Sequence, residues 1–99
     1  MHAKNHPVTC EGYRSVHKGT LEAYADIRRG DVVFRSCGVH KQDDKRWLLL
    51  PSKPYREGGK WKQASLVEIP DRYRRQEFQA AALAAVDDFL AKTEGAVTA

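Results

Sequence analysis

The clearest pattern in this chain is a strict alternation of apolar and polar residues over residues 20–28. One side of an extended segment would carry Leu21, Ala23, Ala25 and Ile27, and the other would carry Glu22, Tyr24, Asp26 and Arg28. Alternation with a period of two is typical of a β-strand with one buried face. We therefore predict a strand whose aliphatic side chains enter the core and whose polar side chains, Asp26 included, lie on the opposite face.

The neighbouring segments predict further strands. Residues 8–16 form a candidate first strand, which Gly12 weakens. Residues 32–39 begin with a β-branched and aromatic run after a tight turn, so they should pair with residues 20–28 as a hairpin. Residues 46–50 are short and apolar and end at Pro51, which has no amide donor for strand pairing. Short connections between residues 20–28, 32–39 and 46–50 predict a three-stranded antiparallel meander.

The next segment combines turn formers, cations and an aromatic side chain. We predict an exposed loop over residues 52–59, with a turn at Gly58-Gly59, because such residues favour irregular surface structure. Residues 60–69 follow as a further strand of the sheet. Trp47 and Trp61 each lie on an apolar strand face, so we expect them in the core or in an interface, ahead of a role as platforms for bases.

The period changes after Pro70. Asp71 is a candidate N-cap, and no Gly or Pro follows until Gly95, which predicts a C-terminal helix. An apolar stripe of helical spacing should pack on the sheet; its members are Phe78, Ala82, Ala85, Val86 and Phe89, flanked by Leu83 and Leu90. The predicted class is α+β: an antiparallel sheet of four to five strands with a C-terminal helix packed on one face.

The length of 99 residues indicates one domain of marginal stability, which dimerisation would help. We predict a flexible leader at residues 1–7, one domain at residues 8–92 and a flexible tail at residues 93–99. Apolar runs are too short to cross a membrane, and the N-terminus lacks the apolar core of a secretion signal. We therefore expect a cytoplasmic protein without a membrane partner.

Sequence motifs of common enzymes are absent from the chain. It contains no GxSxG elbow, Walker loop, GxGxxG or HExxH motif, so we predict no enzymatic activity, cofactor or small-molecule substrate. Cys37 and His40 are three residues apart, which is too unspecific to indicate a catalytic dyad. The spacing of His2, His6 and Cys10 suggests metal ligands, but Pro7 interrupts any helix and a fourth ligand is not evident. We therefore predict no metal site.

Positive charge is concentrated between Lys53 and Arg75. The formal net charge is +4 and the isoelectric point is about 9.2. A local cluster of cations is the electrostatic pattern expected of a protein that binds a polyanion. The candidate phosphate contacts are Lys53, Arg56, Lys60, Lys62, Arg72, Arg74 and Arg75. Tyr55 and Tyr73 are candidates for stacking on unpaired bases, with packing at a sheet edge or at the helix start as the alternative.

Taken together, these segments resemble a known family. The order LEAYADI, VVFRSCGV, RWLLLPSK, a Gly-containing loop, Ile69-Pro70-Asp71 and a helix with Arg75 and Phe78 resembles the bacterial SpoVG family of septation and sporulation regulators. The resemblance covers about residues 8–90, and Pro51-Ser52-Lys53 after an apolar strand is its sharpest part. The chain departs from the family at Pro54-Tyr55, at residues 36–38 and in the first strand.

The resemblance implies a small α+β domain that dimerises through its sheet and binds duplex DNA or RNA. It also implies contacts from the loop after the P-S-K strand and from the helix, and Lys53 and Arg75 are the positions that match. Two functions from different classes therefore remain open. One is a dimeric nucleic-acid-binding regulator, and the other is a module whose sheet edge pairs with a protein partner and whose basic side chains only keep it in solution.

Overall fold

Six strands and one long helix form in the part of the chain that the computed structural model describes, residues 7–98. The elements are β1 (Val8–Lys18), β2 (Leu21–Arg29), β3 (Val32–Gln42), β4 (Lys45–Leu49), β5 (Ser52–Glu57), β6 (Lys60–Ser65) and α1 (Arg72–Thr98). The first four strands make one antiparallel sheet in the order β1-β2-β3-β4, and β5 pairs with β6 in a separate two-stranded sheet. The predicted α+β class and the predicted meander are confirmed.

The core lies between the inner face of the four-stranded sheet and the apolar stripe of α1. Ala23, Ala25 and Ile27 are fully buried, as the alternation in β2 predicts. The ring of Phe78 packs edge-on against Phe34, with 5.2 Å between the ring centroids. The buried cluster consists of Ala25, Ile27, Cys37, Val39, Leu48, Phe78, Ala82 and Val86. The predicted helix stripe is therefore confirmed as the surface that joins the helix to the sheet.

The start of α1 is fixed by its predicted cap. Asp71 Oδ1 accepts a hydrogen bond from the amide of Arg74 at 2.9 Å, which satisfies one of the unpaired donors of the first turn. The helix runs through Thr98, across the predicted start of a tail at residue 93. Most of the predicted leader, residues 1–6, lies outside the described residues. No helix in the described part of the chain is long and apolar enough to span a membrane.

The predicted loop at residues 52–59 is wrong. Ser52–Glu57 is a strand, and it pairs with Lys60–Ser65 across a turn at Gly58 and Gly59. Pro54 is tolerated because a two-stranded sheet has two open edges, where a missing amide donor leaves no neighbour unpaired. The predicted strand at residues 60–69 forms only as far as Ser65, and it does not join the main sheet. All residues of β5 and β6 are exposed, so no buried face marked Ser52–Glu57 as a strand in the sequence.

One residue of β2 breaks the predicted division into a buried face and an exposed face. Asp26 is only 8% exposed although it lies on the face of the sheet opposite the helix, which we call the outer face. Irregular pairing surrounds it on both sides, between Cys10 and Gly12 in β1 and between Ala25 and Ile27 in the pairing with β3. β-bulges of this kind bend strands over a neighbouring residue. They enclose a carboxylate that the alternation places in solvent.

Candidate nucleic-acid interface

The two-stranded sheet is a ribbon that exposes every one of its strand residues. We call residues 52–65, which comprise β5, β6 and their turn, the ribbon. Gly58 and Gly59 have φ values of 60° and 78°, and a two-residue hairpin turn needs this left-handed backbone at both positions. The amide of Leu66 donates to the carbonyl of Pro51 at 3.1 Å and closes the base of the ribbon. The result is a ladder of backbone hydrogen bonds that presents side chains on two open faces.

Strand register assigns each side chain of the ribbon to a face, because directly paired residues of an antiparallel ladder share one side. Tyr55 pairs with Lys62, and Arg56 pairs with Trp61. One face therefore carries Lys53, Tyr55, Glu57, Lys60, Lys62 and Ala64. The other face carries Ser52, Pro54, Arg56, Trp61, Gln63 and Ser65. Lysines dominate the first face, and an arginine with a tryptophan dominates the second.

Four of the predicted phosphate contacts lie on the ribbon, and one of them has an acidic partner. Lys62 Nζ forms an ion pair with Glu57 Oε1 at 2.7 Å. Within residues 7–93, Lys53 and Lys60 take part in no ion pair. An exposed pair such as Lys62 and Glu57 is worth little in water and opens readily when a phosphate competes for the ammonium. The ribbon therefore keeps an excess of positive charge.

The other predicted contacts lie in the first turn of α1. Arg72 and Arg74 are exposed, and no acidic residue lies in that turn. The positive end of the helix dipole repels cations, and here the N-cap carboxylate of Asp71 offsets part of that repulsion. Arg75 differs from its neighbours. It is half-buried, and its Nη1 donates to the carbonyl oxygens of Ile69 at 3.0 Å and Pro70 at 3.4 Å, which fixes the chain before the helix.

The fold adds one cation to this region that the sequence did not single out. Arg29, at the end of β2, lies with Arg74 and Glu77 on the wall of a groove of about 360 Å³. Val8 and Phe78 form the apolar part of the same groove. Arg29 is far from the helix in sequence. Its position depends on how the helix lies across the sheet, which no local pattern reports.

The aromatic side chains of the ribbon and of the helix start are exposed. Of the two expectations for Trp61, the core is wrong, because this residue is 68% exposed on a ribbon without a core of its own, and the interface stays a prediction. Tyr55 and Tyr73 are 40% and 70% exposed, so the structure leaves both rings accessible. Trp47 is half-buried on the outer face of the main sheet. Its ring lies parallel to that of His40, with 5.5 Å between the ring centroids.

Asp26 organises a second polar cluster on the outer face. Asp26 Oδ2 lies 3.4 Å from Arg35 Nη1 and 3.7 Å from Arg14 Nη1. Asp26 Oδ1 accepts a hydrogen bond from the amide of Ser36 at 3.0 Å, and Ser36 adopts a left-handed backbone with a φ of 60°. A methyl group at Gly12 would lie 2.9 Å from Asp26 Oδ2, so only glycine leaves room for the carboxylate. The cluster holds two arginine side chains against the sheet.

The other chemical candidates do not come together. Cys37 lies in the core, and burial, with a contribution from Asp26, raises the pKa of its thiol to about 12, so it stays protonated at neutral pH. His40 lies on the outer face, where its Nδ1 is 2.9 Å from Thr20 Oγ1. Among the described residues, no group of three His, Cys, Asp or Glu side chains is placed to hold a metal ion. His2 and His6 lie outside the described residues.

Comparison with known proteins supplies no relative for this chain. No protein-family model, no curated protein and no solved structure matches it. The resemblance to the SpoVG family therefore stays a prediction.

Proposed function

We propose that this protein is a small dimeric regulator that binds nucleic acid, with phosphate contacts from the ribbon and from the first turn of α1. The observation that carries the proposal is the ribbon itself, which is exposed throughout and bears Lys53, Arg56, Lys60 and Lys62 against a single acid, Glu57. Cations on an exposed surface bind phosphates by releasing condensed counterions.

The first turn of α1 extends the same chemistry. Arg72 and Arg74 stand where a helix dipole disfavours cations, and a bound phosphate would relieve that repulsion. The amide of Arg74 already donates to Asp71. The donors for a phosphate are therefore mainly the guanidinium groups of Arg72 and Arg74. Arg29 adds a further guanidinium beside Arg74. Contacts of this type position a protein on nucleic acid without reading its sequence.

Replacing Lys53, Lys60, Arg72 and Arg74 together by alanine should weaken nucleic-acid binding on the order of 100-fold at physiological salt. The log-log salt dependence on duplex DNA should also become shallower, by about 0.9 for each phosphate contact removed. Fluorescence anisotropy of labelled duplex DNA, single-stranded DNA and RNA across a salt series measures both quantities. Arg75 is not replaced, because its side chain donates hydrogen bonds to the carbonyl oxygens of Ile69 and Pro70 and fixes the chain before the helix.

A matched control removes the same amount of charge elsewhere. Lys18, Lys41, Lys45 and Lys92 are exposed and lie outside the ribbon and the first helical turn. Their combined replacement by alanine changes the net charge equally, so it reports the long-range effect of charge alone. Equal losses of affinity in the two quadruple variants, both still folded by circular dichroism, would remove the proposed surface from the mechanism.

The edges of the main sheet favour the second candidate, a protein-interaction module, and they also support the proposed dimer. β1 and β4 are the outer strands of the four-stranded sheet, and edge strands present unpaired backbone groups to another chain. The edge of β4 is partly covered, since Gln79 Oε1 lies 3.5 Å from the amide of Leu48. β1 is the longer edge and the better candidate for pairing.

Light scattering at tens of micromolar tests the dimer. The chain mass is 11.2 kDa, and we expect about twice that mass in solution. A monomer mass would contradict the dimer and leave nucleic-acid binding to be judged by the anisotropy series. A dimer that shows no binding to any nucleic acid at low salt would favour the protein-interaction module.

A further inference from the structure

We infer that the ribbon selects single-stranded nucleic acid, with an unpaired base stacked on the indole of Trp61. This inference rests on the proposed nucleic-acid-binding function and specifies the form of its ligand. Trp61 is 68% exposed, and the residues that share its ribbon face are polar or charged apart from Pro54. A large indole in such surroundings keeps a wide flat surface in water, and a partner with a flat π face covers it best.

Arg56 lies over one side of the Trp61 indole. Its guanidinium carbon lies over the Trp61 ring at 5.4 Å from the centroid, and its Nη2 donates to the carbonyl of Gly59 at 3.4 Å. The hydrogen bond ties the guanidinium to the turn, and the cation stabilises the ring through its π electrons. Trp61 is therefore held in place before a ligand arrives, which reduces the conformational entropy lost on binding. The side of the ring away from Arg56 remains for a base.

The charge around Trp61 favours a polyanion over a protein partner. Lys60 and Lys62 precede and follow Trp61 in β6 but project from the opposite face of the ribbon, and Arg56 pairs with Trp61 on its own face. Docking sites for apolar protein segments surround an aromatic side chain with other apolar residues, whereas the residues that share this face are polar or charged apart from Pro54. A nucleotide fits these surroundings, because its base stacks on the indole and its phosphate is attracted by Arg56.

The geometry also separates single strands from duplexes. In a duplex the faces of each base are covered by its neighbours, so an indole reaches a base face only after unstacking. In a single strand the faces are free, and a base stacked on an aromatic side chain contributes substantially to affinity. Both edges of the ribbon are open, so a flexible strand has room to pass over the face that carries Trp61 and Arg56.

Trp61→Ala tests the inference with a labelled oligo-dT strand and a labelled duplex of equal length. We expect the variant to bind oligo-dT about 10-fold more weakly or worse, and to bind the duplex almost as well as the unchanged protein. Trp61→Phe should recover most of the single-strand affinity, because a phenyl ring also stacks. Trp61 lies outside the core, so circular dichroism and the melting temperature should be unaffected.

Fluorescence gives an independent readout. In a Trp47→Phe background, Trp61 is the one remaining tryptophan, since the chain has two. Addition of oligo-dT should quench its emission if a base stacks on the ring, and the duplex should quench it much less. Equal binding of strand and duplex, unaffected by Trp61→Ala and without quenching, would overturn this inference and leave the proposed function standing. If the unchanged protein binds none of the nucleic acids tested, this inference and the proposed function are both wrong.

Discussion

Replacing Phe78 by alanine is expected to lower the free energy of unfolding by about 3 to 5 kcal/mol, the usual cost of deleting a buried phenyl ring. Phe78 is 3% exposed and packs edge-on against Phe34, so it joins the first half of α1 to the sheet. Its removal would leave a cavity in the buried cluster that also holds Ala25, Ile27 and Ala82. Urea denaturation followed by circular dichroism measures the change.

A change of this size approaches the whole stability of a small domain, so a milder variant is needed beside it. Phe78→Leu keeps most of the buried volume and should cost about 1 to 2 kcal/mol. Tyr73→Ala, on the exposed side of the same helix, is the matched control and should cost less than about 0.5 kcal/mol. If Phe78→Ala and Tyr73→Ala unfold at the same urea concentration, the helix does not dock through Phe78.

Replacing Asp26 by alanine should lower the free energy of unfolding by about 2 to 3 kcal/mol. The substitution leaves the amide of Ser36 without its acceptor and leaves Arg14 and Arg35 without their shared counter-charge. Both guanidinium groups are largely exposed, so solvent screens part of their repulsion and keeps the expected loss below that of a fully buried ion pair. Chemical denaturation at neutral pH measures this loss in the free energy of unfolding.

Asp26→Asn separates the hydrogen bond from the charge. The amide oxygen still accepts from Ser36, so we expect a loss of about 1 kcal/mol, which reports the missing charge. Asp88→Ala is the matched control, since Asp88 is an exposed carboxylate paired with Lys92 on the helix. A loss near zero for Asp26→Ala, equal to that of the control, would show that the cluster on the outer face does not stabilise the fold.

The sequence predicted the elements that possess a buried face. In β2 the alternation identified Ala23, Ala25 and Ile27 as core residues, and the helical spacing of Phe78, Ala82 and Val86 identified the packed stripe of α1. In these elements the environment changes with the same period as the backbone, so the pattern of residue types records the fold directly.

The ribbon and the Asp26 cluster could not be predicted in the same way. β5 and β6 have no buried side, so no hydrophobic period distinguished Ser52–Glu57 from a loop. Asp26 is buried by bulges in two partner strands, which depend on pairing between residues distant in sequence. The seven predicted cations were likewise found as a cluster in the sequence, but only the fold divides them between the ribbon and α1. The fold also shows that Arg75 supports the backbone.

The ribbon also affects how this protein could change over generations. Its strand residues contribute nothing to the buried cluster, and its ends meet at a single backbone hydrogen bond between Leu66 and Pro51. Substitutions in the ribbon are therefore not constrained by core packing, and insertions at Gly58-Gly59 lengthen it without moving the sheet. Such a segment is free to diverge in charge and aromatic content while the body is conserved, so related chains could acquire different ligands on one unchanged scaffold.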